Sequence, residues 1–88
     1  MHKIEFPTIP PEILFDRDAI CFTAHVNRKP VKCVVIFAAI LGAGNNDAFD
    51  ALAEFTQRKA DFQKIARAMI VKGGVKNGEL LIQCKLSC

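Results

Sequence analysis

The chain has 88 residues, a net charge of +3 at neutral pH and a hydrophobic content of 51%. A chain this short has room for one hydrophobic core, which excludes a second domain and predicts a single domain over residues 1–88. The basic excess permits nucleic-acid binding but is smaller than in dedicated nucleic-acid modules, and the high apolar content is typical of a dense core or a subunit interface.

The apolar stretches are too short for a membrane protein. The uncharged run "CVVIFAAILGAGNN", residues 33–46, has an apolar part of roughly half the ~20 residues that a membrane-spanning helix needs. The N-terminal "MHKIEFPTIPPE" lacks the apolar core of a signal peptide. We therefore expect no membrane association and a cytoplasmic location, where the four cysteines would be reduced.

The first elements are a short strand and a loop. In "KIEF", residues 3–6, the apolar side chains of Ile4 and Phe6 alternate with polar ones, which predicts a short strand. The prolines of the next stretch, "PTIPP", prevent regular structure because they lack a backbone donor. We expect "EILFDRD", residues 12–18, to form a loop that leads into the next strand.

A β-hairpin is predicted next. Apolar and polar residues alternate through residues 19–26 and again through 31–37, with the polar "NRKP" between them. A turn centred on Asn27 and Arg28 would place Cys33 opposite Phe22, whereas a turn shifted by one residue would place it opposite Ala24. Both registers put Cys33 on the apolar face of the hairpin.

The spacing of cysteine and histidine argues against a metal site. Cys21 lies on the hairpin face opposite to Cys33, and His25 stands roughly 13 Å from Cys21 along the strand. The sequence contains no Cys-x-x-Cys, no His-x-x-x-His and no Gly-x-Ser-x-Gly motif. We therefore predict no catalytic residue, no cofactor and no metal ligand, with Cys33 and Cys84 as small core residues. A thiol or metal function of Cys21, His25 or Cys88 is a less favoured alternative, and hydrolytic catalysis is less favoured still.

Helices are predicted in the second half. "IFAAIL", residues 36–41, predicts a short helix that Gly42 and Gly44 end. A long helix is predicted to start at Asn46 or Asp47 and to end near Val71. Its apolar residues, at helical spacing, are Phe49, Leu52, Phe55, Phe62, Ile65, Ala66 and Met69.

The apolar stripe of the long helix shifts by roughly a quarter turn at "TQRKAD", residues 56–61, so the helix either bends there or breaks; we expect one bent helix. A glycine-rich loop, residues 72–78, and a final strand that starts at Glu79 follow. The predicted class is α+β: a small antiparallel sheet of an N-terminal strand, a central hairpin and a C-terminal strand, with a short and a long helix on one face.

Several short motifs occur in an order that is similar to that of a known family. They are Phe6-Pro7, Asp16, "CFTAHV", "NRKP", Val31-Lys32-Cys33, Phe55 with Arg58, and Gly78-Glu79-Leu80-Leu81. Over nearly its whole length the chain resembles the small proteobacterial proteins catalogued as domain of unknown function 1488. It departs from them at Arg28, where the turn usually carries glycine, and in the tail "CKLSC", which lacks an acidic residue. The resemblance implies a small α+β fold and no established activity, cofactor or catalytic residue.

Two function classes follow. The first is a non-enzymatic interaction or regulatory module that binds a protein partner or a second copy of itself as a homodimer, with Val34, Ile36 and Leu81 as a contact patch on the outer sheet face. The alternative is nucleic-acid binding by the basic hairpin tip and helix face. Its candidate contacts are Arg28, Lys29, Lys32, Arg58, Lys64 and Arg67. Against the alternative, Glu54 and Asp61 lie among the helix cations, and no Trp or Tyr is present to stack on bases.

Overall fold

The computed structural model of the chain describes residues 3–42 and 47–83. Its elements are β1 (Ile4–Glu5), β2 (Glu12–Leu14), β3 (Ala19–Val26), β4 (Lys29–Ile36), α1 (Phe37–Leu41), α2 (Ala48–Gln57), α3 (Lys59–Val71) and β5 (Glu79–Ile82). The five strands form one sheet in the order β1-β3-β4-β5, and β2 pairs with β3 beside β1. The predicted α+β class is confirmed, as are the N-terminal strand, the hairpin and the C-terminal strand.

The hairpin β3–β4 is the centre of the sheet. Its antiparallel register pairs Phe22 with Cys33 and Val26 with Lys29, so of the two predicted registers the protein adopts the one with Asn27 and Arg28 at the centre of the turn. Both turn residues have positive φ, 53° and 71°. Two consecutive positive φ values are typical of the tight type I′ turn, whose twist matches that of the flanking strands.

The Arg28 backbone is strained, and this gives a stability prediction. A residue with a Cβ loses roughly 1–2 kcal/mol in the left-handed region, and glycine does not. We therefore expect Arg28→Gly to be more stable to urea than Arg28→Ala by about 1 kcal/mol. Both variants lack the guanidinium group, so the comparison isolates the backbone; an alanine variant as stable as the glycine variant would contradict the turn geometry.

The segment before the hairpin differs from the prediction. Residues 12–18 are not all loop, because Glu12–Leu14 form β2 and pair antiparallel with the start of β3. Residues 15–18, the β2–β3 turn, reverse the chain, and Asp18 has a φ of 47°. A three-residue strand is too short to show an alternating pattern, and its stability comes from the partner strand.

The last strand is parallel to its neighbour. The predicted antiparallel sheet is confirmed for the other strand pairs, but β5 runs parallel to β4, with Lys32 beside Glu79 and Val35 beside Ile82. The helices α1 to α3 form the crossover that a parallel pair requires, because they carry the chain back to the turn of the hairpin before β5 begins.

The predicted long helix is two helices, and the expectation of one bent helix is wrong. Arg58, with φ −108° and ψ 21°, separates α2 from α3. The start is confirmed at Asp47, whose side chain accepts hydrogen bonds of 3.0 Å from the backbone N–H groups of Phe49 and Asp50. Because the helix breaks at Arg58, the apolar stripes of α2 and α3, which are offset in the sequence, both pack into the same core.

One residue of the predicted apolar stripe lies outside the core. Phe49 is 75% exposed, whereas Ala51 and Phe55 of the same helix are buried. Phe49 precedes Ala51 by two residues, which is about 200° on the helical wheel, so its ring lies on the solvent side of α2.

Phenylalanine rings join the sheet to the helices. The ring of Phe55 lies between those of Phe22 and Phe62, with centroid distances of 5.3 and 5.4 Å, and Phe6 extends the row towards β1. The face of the sheet that carries Phe22 and Cys33 and packs on the helices is called the inner face, and the opposite face the outer face. Within residues 3–42 and 47–83, no helix combines the length and hydropathy needed to cross a membrane.

Candidate functional site

The hairpin turn meets the end of α3 at one end of the molecule. The backbone N–H of Gly73 donates to the Ile70 carbonyl at 3.0 Å, and that of Gly74 donates to the Met69 carbonyl at 2.9 Å. This is the Schellman pattern of a helix C-terminus, and the φ of 81° at Gly73 suits glycine. The chain then returns to the sheet, where the Lys32 N–H donates to the Gly78 carbonyl at 3.0 Å. We call residues 26–31 together with residues 70–78 the hairpin end.

A cavity of about 430 Å³ opens at the hairpin end, between the sheet and α3. Its lining consists of Val26, Asn27, Lys29, Pro30, Val31, Ile70, Gly73, Val75 and Gly78. Most of this lining is apolar. The Lys29 side chain starts on the cavity side of the sheet, because Lys29 pairs with the inward-facing Val26. The cavity therefore has an apolar interior and a cation in its wall.

A second, polar recess adjoins the cavity. It has a volume of about 550 Å³ and is lined by Pro30, Lys32, Lys76, Asn77, Gly78 and Glu79. Pro30 and Gly78 belong to both linings, so the two depressions share a wall. The recess adds Lys32 and Lys76 to the positive charge near the cavity.

The hairpin end has an excess of positive charge. Its basic residues are Arg28, Lys29, Lys72 and Lys76, and Lys32 lies directly beside it. In the part of the chain that the structure describes, the basic members of ion pairs are Lys3, Arg17 and Arg58, so none of the hairpin-end cations is paired. Glu79 is the acid in the recess, and it is engaged by Arg17, whose hydrogen bond lowers the pKa of that carboxyl. The local field is therefore positive.

The basic residues predicted on the helix face lie away from the cavity, and two of them, Arg58 and Arg67, interact with other side chains. Arg58 Nε lies 2.7 Å from Glu54 Oε1 one turn earlier. The Arg67 guanidinium lies over the Phe6 ring, 5.8 Å from its centroid, which is a cation–π contact. Lys64 and Arg67 line a recess of about 170 Å³ beside Phe6. This recess is at the β1 side of α3, apart from the cavity.

The basic residues predicted on the hairpin are divided between two places. Arg28 and Lys29 are exposed at the turn, whereas Lys32 lies on the outer face because its partner Thr23 does. The helices cover the inner face. Lys32 and the helix cations therefore lie on opposite sides of the sheet, and the six predicted contacts do not form one continuous surface.

The thiols lie where the hairpin register placed them. Cys33 is completely buried on the inner face, and this burial raises the pKa of its thiol to about 12. Cys21 is on the outer face yet only 6% exposed, and burial raises the pKa of its thiol as well. Among the described residues, no three His, Cys, Asp or Glu side chains come together as a metal site. Cys84 and Cys88 lie outside the described residues.

The apolar patch predicted on the outer face is mostly covered. Val34 is completely buried and Ile36 is half-buried, while Leu81 is 37% exposed. An ion pair between Arg17 and Glu79, with Nη1 2.5 Å from Oε1, links the β2–β3 turn to β5 across this face. The three side chains lie on the predicted outer face, but Val34 is not available as part of a contact patch, because the alternation along a strand does not show which residues cover it.

Sequence reasoning missed the cavity and the contribution of Lys76. The lining comes from three separate segments, around Val26, Ile70 and Val75, and no local pattern connects them. One signal was available: "KNG" at residues 76–78 forms a tight turn, with positive φ at Asn77 and Gly78, that returns the chain beside the hairpin.

Comparisons with known proteins give a family and a fold. A family model described as "Protein of unknown function (DUF1488)" matches residues 4–82. The chain is similar to a crystal structure, at 1.60 Å resolution, of a protein of unknown function from the DUF1488 family of Shewanella loihica PV-4. The two are 21% identical over 92% of each chain, with a TM-score of 0.75, a likeness that concerns the fold alone. No functionally curated protein matches the chain.

Proposed function

Because this chain belongs to the DUF1488 family, whose description assigns no function, we propose one from its own surface: a non-enzymatic interaction module that binds an acidic protein segment at the hairpin end. The segment would place one apolar side chain in the cavity and its carboxylates near the surrounding lysines. We also place the module in the cytoplasm, a compartment in which thiols such as those of Cys21 and Cys33 stay reduced.

The observation that carries the proposal is an apolar cavity bordered by unpaired cations. A volume of about 430 Å³ lies at the small end of the range for ligand pockets, ~300–1,000 Å³, and leaves room for a large apolar side chain. Filling it removes apolar surface from water, which contributes about 25 cal/mol per Å². Lys29 and Lys76 then favour a partner whose apolar side chain has acidic neighbours, since complementary charge governs specificity and the rate of encounter.

Nucleic-acid binding explains less of this surface. A phosphate backbone requires cations along one face, but Arg58 is paired with Glu54, and Lys32 and the helix cations lie on opposite faces of the sheet. The cavity lining contains no aromatic side chain on which a base could stack. In nucleic-acid binding the apolar interior of the cavity would have no role. In binding a protein segment, this interior holds the apolar side chain of the segment.

The test uses short labelled peptides and fluorescence anisotropy. The probe is fluorescein-labelled Gly-Asp-Phe-Asp-Gly; the comparison peptides replace its Phe with Ala or both Asp with Lys. We expect the protein to bind the probe best, and the double variant Lys29→Glu, Lys76→Glu to bind it at least about tenfold more weakly, which corresponds to ~1.4 kcal/mol. Affinity should fall as salt is added, because the lysines are exposed.

A matched control separates the site from general electrostatics. Lys64→Glu reverses the charge of an exposed lysine on α3, beside a different recess, and should bind the acidic peptide within about twofold of the unaltered protein once salt screens distant charges. Equal binding of the Phe and Ala peptides would contradict the role of the cavity. Tighter binding of a DNA duplex, lost in Lys64→Glu, would favour the nucleic-acid alternative.

A further inference from the structure

The end of the molecule opposite to the hairpin end carries the β2–β3 turn. β3 has eight residues and so spans about 26 Å between the two turns that flank it. The long axis of the molecule measures 38 Å. Phe15, the first residue of the β2–β3 turn, is 68% exposed. A large apolar ring therefore faces solvent far from the cavity of its own chain.

Acidic side chains accompany this ring. Asp16 follows Phe15 directly, and Asp18 lies two residues further on. Arg17, between them, is bound by Glu79 at 2.5 Å on the outer face, so its charge is already compensated. The turn therefore presents an aromatic side chain with two carboxylates, which is the chemistry that the hairpin end is suited to bind.

We propose that the β2–β3 turn of one copy of this protein docks in the hairpin end of a second copy. Phe15 enters the apolar cavity, and Asp16 and Asp18 face Lys29 and Lys76 of the second copy. This inference rests on the proposed function and names the partner: another copy of the same chain. It is carried by charge complementarity between the two ends and by an exposed ring at one end that the apolar cavity at the other end has room to hold.

The contact joins two different surfaces, and this determines the assembly. A contact between unlike surfaces is head-to-tail, so each copy keeps one free turn and one free cavity. Association then continues with concentration to longer chains or to a ring, whereas a symmetric dimer would stop at two copies. One turn in one cavity is a small interface, which is typical of weak and reversible association.

Two variants test the proposal by blocking opposite ends. Phe15→Ala with Asp16→Lys blocks the turn, and Lys29→Glu with Lys76→Glu blocks the cavity; all four side chains are exposed, so both variants should fold. In sedimentation velocity, the unaltered protein should grow in size with concentration, and each variant alone should stay monomeric. A one-to-one mixture should form a heterodimer and nothing larger, because only one productive contact is left.

The control is Phe49→Ala, which removes a second exposed ring and should associate like the unaltered protein. A monomeric unaltered protein, a turn-blocked variant that still associates, or a mixture without heterodimer would overturn the inference. If the unaltered protein is monomeric yet binds the acidic Phe peptide, only the inference fails. If neither the peptide nor a second copy binds, the proposed function fails with it.

Discussion

Replacing Phe55 with alanine should lower the free energy of unfolding by about 3–5 kcal/mol, the largest effect expected of any single change discussed for this chain. The Phe55 ring is completely buried and lies between Phe22 and Phe62, so its removal leaves a cavity where the sheet, α2 and α3 meet. The whole free energy of unfolding of a small domain is about 5–15 kcal/mol, so this variant should be close to unfolding.

Urea denaturation followed by far-ultraviolet circular dichroism measures this effect. Phe49→Ala is the matched control, because it removes the same ring from the same helix at a site that is 75% exposed, and it should change stability by no more than about 0.5 kcal/mol. If the two variants lost equal stability, the orientation of α2 would be wrong. If Phe55→Ala unfolds completely, Phe55→Leu gives a smaller, measurable loss.

The Cys33 thiol should be nearly inert while the protein is folded. Burial raises its pKa from an ordinary value of 9.0 to about 12. At pH 8 the thiolate fraction is then lower by a factor of ~1,000, and the thiolate is the reactive form. Labelling with iodoacetamide, followed by digestion and mass spectrometry, should find Cys33 unmodified in native protein and modified in urea. Rapid native labelling of Cys33 would contradict its place on the inner face.

The same pKa shift makes the free energy of unfolding depend on pH in the alkaline range. The folded state keeps Cys33 protonated above the pKa of the unfolded thiol, so this contribution is complete below pH 9 and is lost as pH rises from about 9 to about 12. The stability advantage of the unaltered protein over Cys33→Ala should shrink by about 2 kcal/mol between pH 8 and pH 10.5. The variant keeps every other titrating group, so a constant difference would mean that the thiol titrates normally.

The central hairpin could be predicted from the sequence because its signals are local. Alternation along each strand placed Cys33 and Cys21 on opposite faces, and the polar "NRKP" limited the turn to two registers. The choice between these registers needed the structure, since it depends on the positive φ that Arg28 adopts despite its side chain. The Asp47 cap was also predictable, because a carboxylate before an apolar helix has a specific local role.

The features that prediction missed depend on contacts between distant segments. β2 forms because β3 offers a free edge, and β5 becomes parallel because three helices carry the chain back. The break at Arg58 appeared in the sequence only as an offset between two stripes, which a bend would also explain. The candidate site is of this kind too: Arg28 and Lys29 were identified from charge, but the apolar cavity beside them requires Ile70 and Val75 to meet the sheet.

The proposed function depends on where an acidic peptide binds, and amide NMR measures this directly. Gly-Asp-Phe-Asp-Gly would be titrated into ¹⁵N-labelled protein, and the shifted amide signals assigned. We expect shifts concentrated at the hairpin end, in residues 26–31 and 70–78. At the same peptide concentration, the double variant Lys29→Glu, Lys76→Glu should show much smaller shifts there. Shifts centred on the recess of Phe6, Lys64 and Arg67, or spread evenly over the surface, would contradict the proposed function.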